Sequence, residues 1–516
     1  MSTEIALAAP HPSALHAARD VITAGGGVID AALAAAVALT VAYPHQCSTG
    51  GDLTALVRTP DGQVRAVLSL GAAPAGIDVG ALRAAGDRMP SGGPLTVTVP
   101  GVVAGWAALV DLGARLPLAR IVAPAVDLAA GGVAVSAGLA AAARRRADVI
   151  RADPGLAALL LDGDGDSLPA GAVLRQPALA RTLAAIGVDW RDYYQGELAG
   201  RLAAGLAVLG SPLTVADLAA HTAEAADPLQ YVDPMRDAAG PATWSVAPPP
   251  SQGATLLAML GAGDGTSAGM LTTARRAELR RDTLLGDPRV GPVDLDGLLL
   301  RGDGPAGTPA VPPGVASSTA AKPAGDTVAV TAVGTDGTAI TLIQSVFQSF
   351  GAGLCEPGTG IVLHNRGSVF SLDPTHPGRL CPGARPPHTL CPAIATAPDR
   401  VVALGCQGGR AQPWILAQLA RDALVGTEPD AVLARSRWVI GARDIGQDRP
   451  TLMLEPDTPD AATLRVAAAD LDLQVVQLSQ RHDDAGHVQV ARLTPDGLDA
   501  ASDPRADGAA TILGGP

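Results

Sequence analysis

Hydrophobic residues in the first third of the chain recur at the spacing of α-helices. A helix from Pro12 to Thr23 would place proline in its first turn and end at a run of three glycines. The next segment, Val28 to Ala42, is almost wholly apolar, which predicts a helix buried on most sides. Further helices are predicted at Val102–Leu112, Pro177–Ile186, Gly196–Leu209 and Val215–His221.

Segments rich in β-branched residues predict strands, and turn sequences separate several of them. The predicted hairpins pair Leu53–Arg58 with Val64–Ser69, and Thr327–Val333 with Thr338–Val346. A further strand is predicted at Val401–Leu404. The chain is therefore expected to be helix-rich in its first part and strand-rich after residue 325.

Two stretches lack any regular pattern. Between Gly302 and Gly325 the sequence is rich in Gly, Pro, Ala, Ser and Thr, which predicts a flexible surface segment that tolerates cleavage. From about Ser502 the chain is rich in Ala, Gly and Asp, and we expect this end to be frayed.

Composition narrows the class of protein. Of 516 residues, 47% are apolar but only 2% aromatic, so a large core must be built from Ala, Val and Leu. A net charge of −13 argues against nucleic acid or an anionic membrane as the main partner. The first residues lack a signal-peptide pattern, and the most apolar stretch, Val28 to Tyr43, is too short to span a bilayer. We therefore expect a soluble, cytoplasmic protein.

Metal and cofactor sites are not expected. The five cysteines form no CxxC pair, so they are predicted to be buried free thiols, as in a reducing cytoplasm. Asp162 to Asp166 resembles half of a calcium loop, but Ser167 and Val173 replace its required glycine and acidic residue. A surface turn is the better interpretation. The sequence also contains no ligand cluster or phosphate-binding loop, so no cofactor is predicted.

The candidate chemistry begins at Asp326-Thr327, where a predicted strand starts. If the chain were cut between these residues, Thr327 would carry a free α-amino group beside its hydroxyl. Such an amine can serve as the base for the hydroxyl, which makes an acyl-transfer nucleophile without a histidine. On local sequence alone, the strand propensity of a β-branched residue also explains this threonine.

Short motifs accompany Thr327 in order along nearly the whole chain. They are Gly25–Ala32, Pro44–Asp52, Thr98–Gly101, Pro248–Gly253, Gly325–Thr327, Gln344–Phe347 with Phe350–Gly353, Pro357–Gly367, Pro382–Thr389 and Gly408–Gly409. From about His11 to about Asp457 this series resembles the γ-glutamyltransferase family of N-terminal-nucleophile (Ntn) hydrolases. The resemblance implies an α/β (α+β) protein with a four-layer αββα fold. It also implies one precursor that cleaves itself into intertwined subunits, residues 1–326 and 327–516.

The resemblance implies catalytic roles as well. The Thr327 Oγ would attack the carbonyl of Asp326 during self-cleavage, and later the amide carbonyl of a substrate, with the α-amine as base and then acid. The backbone N–H groups of Gly408 and Gly409 match the oxyanion hole, where glycine allows close approach of the backbone. Ser345 matches a second hydroxyl residue that supports the nucleophile.

Substrate-binding candidates lie in two of the later motifs. Thr389 matches a position that lines the pocket, with His388 beside it, and Arg366 follows Asn365. The arginine suits bidentate binding of a carboxylate. Structural alternatives stay open: a turn at Gly408–Gly409, a polar strand residue at Ser345, a hydrogen-bonded His388 and an ion-paired Arg366.

Positions that recognise glutamate in typical members are apolar here. The stretch that usually carries a carboxylate-binding arginine reads Ser69 to Pro74, with Leu70 and no arginine. The acidic residue for the α-ammonium group falls at Val369, and an asparagine for the head group falls at Phe347. A zwitterionic glutamyl group would be poorly solvated by such side chains. The chain resembles a divergent branch that includes amidohydrolases acting on oxamate.

We therefore predict a self-processing Ntn amidohydrolase or acyltransferase. The family-default substrate is glutathione or another γ-glutamyl amide, with water or an amine as acceptor. One alternative is an oxamate- or acylase-like enzyme for a less polar or single-carboxylate acyl amide. The other is an uncleaved, catalytically silent homologue that serves as a binding protein. The two subunits are expected to associate, and a homodimer of such pairs stays open.

Overall fold

The computed structural model describes residues 4–235, 240–262, 265–301, 325–425, 428–442 and 445–514. Its strands are β1 (Ile5–Ala9), β2 (Asp52–Arg58), β3 (Val64–Ser69), β4 (Val133–Ala134), β5 (Val173–Leu174), β6 (Glu224–Ala226), β7 (Leu229–Asp233), β8 (Ala242–Val246), β9 (Gly325–Gly334), β10 (Ala339–Gln348), β11 (Cys355–Glu356), β12 (Ile361–Val362), β13 (Ala393–Ala397), β14 (Arg400–Gln407), β15 (Trp438–Gly441), β16 (Thr451–Leu454), β17 (Gln474–Gln477), β18 (His487–Thr494), β19 (Gly497–Ser502) and β20 (Ala509–Leu513).

Its helices are α1 (Pro12–Thr23), α2 (Val28–Ala42), α3 (Val79–Ala85), α4 (Val102–Asp111), α5 (Leu118–Gly131), α6 (Ala137–Arg145), α7 (Ala147–Ala152), α8 (Pro154–Leu160), α9 (Pro177–Val188), α10 (Asp192–Gln195), α11 (Glu197–Val208), α12 (Val215–Ala219), α13 (Gly253–Ala262), α14 (Ser267–Leu284), α15 (Leu295–Leu298), α16 (Gln412–Ala417), α17 (Ala420–Leu424), α18 (Pro429–Leu433) and α19 (Ala461–Asp470).

Two antiparallel sheets lie at the centre of the fold. The larger has the strand order β20-β1-β9-β10-β2-β3-β6, and the smaller β19-β18-β14-β13-β8-β7. They face each other, because β9 and β10 of one sheet pack against β14 of the other. Small residues allow the close approach: a Cβ added to Gly405 of β14 would lie 3.2 Å from the Ala329 Cβ in β9. The low aromatic content thus reflects two sheets packed mainly through alanine and aliphatic side chains.

A helical layer covers the outer face of each sheet. On the larger sheet, α2 packs against β9 and β10 and is itself covered by α1 and α5. Every residue of α2 is buried, as its apolar sequence predicts. On the smaller sheet, α13 packs on β7 and β8, while α16 and α17 pack on β14. The order helix, sheet, sheet, helix is the predicted αββα sandwich.

The predicted helices and hairpins are confirmed, with ends that move by a few residues. The prediction of a frayed end from Ser502 is wrong. Residues Ala509–Leu513 form β20, which pairs with β1 at the edge of the larger sheet, and Leu513 is buried. The strand is only five residues long and is flanked by Gly, Asp and Pro, so the segment as a whole resembled a loop.

Other expectations have mixed outcomes. Four cysteines are buried free thiols, but Cys381 is half-buried. Asp162 to Asp166 forms a turn in which Asp162 Oδ1 accepts the N–H groups of Asp164 and Asp166. Most of the segment predicted to be flexible, residues 302–324, lies outside the described residues. Within the described ranges, no helix combines the length and apolar character needed to cross a membrane.

Candidate active site

Thr327 and Ser345 face each other on neighbouring strands of the larger sheet. Thr327 is the third residue of β9, and its Oγ1 lies 3.0 Å from the Ser345 Oγ in β10. Both side chains are buried. A bulge in β10 between Gln344 and Phe347 lets the Phe347 N–H donate to the Ser345 Oγ at 2.8 Å. The Ser345 hydroxyl therefore lies between a fixed backbone donor and the Thr327 hydroxyl.

Gly408 and Gly409 form a sharp turn where β14 ends. Their φ angles are +154° and +52°, which glycine adopts readily and other residues rarely do. A Cβ on Gly408 would also lie 2.7 Å from the Ile415 Cδ1. The turn Gly409–Ala411 packs against β9, the strand that carries Thr327. Neither glycine N–H donates a hydrogen bond within the part of the chain described, which leaves both able to bind an oxyanion.

Arg366 is buried against Phe347 and Thr389, and it forms no salt bridge with an acidic side chain among the described residues. It is 1% exposed, and its guanidinium carbon lies 3.8 Å from the centre of the Phe347 ring. Nη2 donates to the Thr389 Oγ1 at 3.0 Å, whereas Nε and Nη1 have no hydrogen-bond partner in the described chain. Burial lowers the pKa of Arg366 to about 9, and Asp52 opposes this shift. The group stays cationic at neutral pH and keeps two donors for an anion.

Asn365 supports the loop that carries Arg366. Its Nδ2 donates to the Ser91 carbonyl and to the Gln348 Oε1, each at 2.7 Å. Its Oδ1 accepts the Gln348 N–H at 3.2 Å. Both ends of this side chain are occupied by the protein, so the structure does not present it to a substrate.

His388 is part of a buried cluster around Asp52. The Asp52 Oδ2 lies 2.9 Å from the His388 Nε2 and 3.2 Å from the His364 Nδ1, and Oδ1 accepts the Gly71 N–H. Burial lowers the pKa of His388 to about 4, so it is neutral at physiological pH. Burial raises the pKa of Asp52, but the two histidines outweigh burial and lower it below its usual range. The structure therefore places the His388 side chain against the Asp52 carboxylate, as a hydrogen-bonded histidine.

Asp52 and Gln252 have roles that sequence reasoning did not assign, although both lie in the motifs quoted above. Asp52 is the register partner of Ser345 across β2 and β10. Gln252 is 1% exposed, and its Nε2 donates to the carbonyls of Thr389 and Gly409. The sequence does contain a signal for Gln252, since it follows a run of prolines and precedes a segment that is apolar enough to be a buried helix. A glutamine buried in such a place needs hydrogen-bond partners, which could have predicted a structural role.

Three positions depart from the glutamate-binding pattern, and in the structure each carries an apolar side chain that is buried or half-buried. Leu70 is buried in a cluster of alanine and larger aliphatic residues from the two sheets. Phe347 has φ +77°, a strained angle for an aromatic residue, and its ring lies against Arg366. Val369 is half-buried at the end of the short turn that Arg366 begins. Thus Arg366 lies against the Phe347 ring, at the position that the resemblance assigns to an asparagine in typical members.

The polar groups described above suit one kind of chemistry. No group of three or more His, Cys, Asp or Glu side chains in those ranges has the geometry of a metal site. The site combines a hydroxyl pair, two glycine N–H groups that have no partner among the described residues, and a cationic guanidinium. These parts suit attack on an amide carbonyl, stabilisation of its oxyanion and binding of an acidic acyl group.

Comparisons with known proteins identify the family of this chain. The gamma-glutamyltranspeptidase family profile matches residues 14–513. The chain is 36% identical to the oxamate amidohydrolase proenzyme of Klebsiella pneumoniae, over 99% of this chain and 98% of that protein. It is 30% identical to the glutathione hydrolase-like YwrD proenzyme of Bacillus subtilis, over 99% and 98%. The cephalosporin acylase structure from Bacillus halodurans matches with a TM-score of 0.84 at 28% identity, covering 99% of this chain and 96% of that one. The chain belongs to the γ-glutamyltranspeptidase family of Ntn hydrolases.

Proposed function

We propose that this protein is a self-processing amidohydrolase for small acyl amides that carry a single carboxylate, of which oxamate is the simplest. The observation that carries the proposal is the buried Arg366, with two unpaired N–H donors and no acidic partner in the described chain. A buried cation without a counter-ion costs stability. A substrate carboxylate would supply the missing charge and accept both hydrogen bonds.

Self-cleavage would create the nucleophile. In the proposed step, the Thr327 Oγ attacks the carbonyl carbon of Asp326, the peptide C–N bond breaks, and an ester joins the two residues. Water then hydrolyses the ester, which leaves a carboxylate on Asp326 and a free α-amine on Thr327. The products would be subunits 1–326 and 327–516. Names of both curated relatives above include the word proenzyme, which supports such a maturation step.

Substrate turnover would reuse the same oxygen. The α-amine of Thr327 removes the hydroxyl proton as Oγ attacks the amide carbon, and Gly408 and Gly409 donate to the resulting oxyanion. The ammonium then protonates the leaving nitrogen, and ammonia departs from an acyl-enzyme ester. Attack by water on the ester releases the acid and restores the hydroxyl. For oxamate and water, the products are oxalate and ammonium.

The apolar neighbours of Arg366 favour a substrate without an amino group. Val369 and Phe347 occupy the positions where a typical member binds the glutamyl head group. An α-ammonium would therefore be desolvated here without an acceptor from those side chains. The relative named oxamate amidohydrolase is consistent with such a substrate, and γ-glutamyl amides are the competing candidate.

A pair of nearly isosteric substrates tests the proposal. Oxamate and its neutral diamide, oxamide, differ mainly in charge, so their ratio of kcat/KM isolates carboxylate recognition. We expect the wild type to prefer oxamate, and Arg366→Met to lower that preference by about 10²-fold, as expected for charge-assisted hydrogen bonds. Ammonia release is the assay, with γ-glutamyl-p-nitroanilide alongside. A wild type that prefers the γ-glutamyl compound, or an unchanged oxamate-to-oxamide ratio in the variant, would contradict the proposal.

A further inference from the structure

The side chain of Gln252 connects the two halves of the site. Its Nε2 donates to the Thr389 carbonyl at 2.7 Å and to the Gly409 carbonyl at 3.0 Å. Thr389 in turn holds Arg366 through its hydroxyl, and Gly409 belongs to the turn with the unpaired N–H groups. One amide nitrogen therefore links the cation that would bind the carboxylate to the turn that would bind the oxyanion.

The orientation of this amide is determined by its partners. The two carbonyl acceptors require the NH₂ group of Gln252 on their side. On the other side, Arg281 Nη1 donates to the Gln252 Oε1 at 2.9 Å and to the Arg410 carbonyl at 2.8 Å. Arg281 is itself buried and lies over the Trp414 ring. Because a rotated amide would lose its bonds to Thr389, Gly409 and Arg281, one orientation of the Gln252 amide is strongly favoured.

The segment before Gln252 is tied to the strand-like segment that includes Thr389. The Ser251 Oγ donates to the Leu390 carbonyl at 2.6 Å, and the His388 N–H donates to the Pro250 carbonyl at 2.7 Å. These bonds fix the backbone next to Gln252 to the segment that carries Thr389, the residue that binds Arg366. The hydrogen bond from Gln252 to the Gly409 carbonyl then positions Gly409 relative to that segment.

We infer that Gln252, oriented by Arg281, is a positioning residue that sets the separation between the Arg366–Thr389 pair and the Gly408–Gly409 turn. The length of acyl chain that fits between carboxylate and scissile carbonyl follows from this separation. The inference rests on the proposed function for its substrate class. Gln252 touches neither the nucleophile nor the substrate carbonyl in this role, so its effect is on geometry.

The test compares substrates of increasing length: oxamate, malonamate and succinamate, which place zero, one and two methylene groups between the carboxylate and the amide. Gln252→Met keeps the length of the side chain but removes its hydrogen bonds. We expect kcat/KM on the best of the three to fall by about 10²-fold, because small misplacements of a reacting group have effects of this size. The poorer substrates should lose much less, so that discrimination by length declines by roughly 10-fold or more.

Gln412→Met is the matched control. The Gln412 Oε1 accepts the Cys391 N–H at 2.9 Å, so it joins neighbouring parts of the same two segments, and among the described residues its side chain forms no hydrogen bond with Gly409 or Thr389. This variant should change all three substrates by one common factor. A common factor for Gln252→Met as well would show a merely structural role and overturn the inference.

A second variant keeps the inference testable if Gln252→Met does not fold. Arg281→Met removes the donor that orients the amide and should weaken discrimination in the same direction, whereas Arg281→Lys should restore it. If the wild type instead prefers γ-glutamyl amides, the proposed function fails separately. Discrimination between γ-glutamyl and β-aspartyl p-nitroanilides, which differ by one methylene, then replaces the series. Unchanged discrimination in the Gln252 and Arg281 variants would overturn the inference in either case.

Discussion

Replacing Arg366 by methionine should make the protein more stable while it impairs carboxylate binding. Burial lowers the pKa of Arg366 from 12.5 to about 9. At 1.36 kcal/mol for each pKa unit, the charged group is less favourable here than in water by roughly 5 kcal/mol. The contact with the Phe347 ring and the hydrogen bond to Thr389 recover part of this cost. Methionine has a similar length and no charge, so we expect a net gain of about 1–4 kcal/mol.

The measurement should be made on chains in the same state of processing. Thr327→Ala and Thr327→Ala/Arg366→Met are both expected to remain single chains, so their urea unfolding curves can be compared directly. We expect a higher midpoint in the double variant with an unchanged slope, which indicates a change in stability alone. The gain is the stability that the native protein gives up to keep a cation ready for its substrate.

Arg385→Met, made in the Thr327→Ala chain, is a control that should change stability in the opposite direction. Arg385 is also buried, but it donates to the Asp287 carboxylate at 3.1 and 2.8 Å and to Glu224 at 2.7 Å. Its removal leaves the buried Asp287 short of its main partner and should cost about 3 kcal/mol or more. If Arg366→Met destabilises the chain as Arg385→Met does, Arg366 is a structural ion and our reasoning about it is refuted.

Two further predictions concern stability. Burial lowers the pKa of His45 to about 3 and those of His221 and His388 to about 4, from 6.5. Below about pH 6.5 the unfolded chain therefore binds more protons than the folded protein. The free energy of unfolding has its full value above that pH and decreases as the pH falls toward about 4. The decrease due to His388 is up to roughly 3 kcal/mol. Equal urea midpoints at about pH 7 and about pH 5 would contradict this sign. Separately, Leu513→Ala in β20 should cost about 2–5 kcal/mol, whereas Ile512→Ala, at a side chain 44% exposed, should change stability by about 0.5 kcal/mol; equal thermal shifts would mean that the edge strand is not stably paired.

Much of the fold could be predicted because local patterns and tertiary packing agree. The continuous apolar run of α2 can only be satisfied by burial, and the turn between β9 and β10 specifies a hairpin. The edge strand β20 could not be predicted in this way. Its pairing with β1 joins residues that lie at opposite ends of the sequence, and its apolar run is too short to stand out from the Gly-, Asp- and Pro-rich flanks.

The candidate site shows the same division. The motifs predict Thr327, Ser345, Gly408 and Gly409 as site residues, and the structure brings Thr327 and Ser345 into contact. Among the described residues Arg366 forms no salt bridge, and this could not be predicted, since a sequence does not show which carboxylates lie within reach. The bonds of Gln252 to two distant carbonyls were likewise invisible, because both acceptors are backbone atoms whose positions depend on the whole fold.

Intact mass measurement of the purified wild type and of Thr327→Ala tests the central claim most directly. The account predicts two fragments in the wild type, the smaller beginning with Thr327, and a single uncleaved chain in the variant. An uncleaved wild type, or a smaller fragment that begins at another residue, would contradict the assignment of Thr327 as the nucleophile.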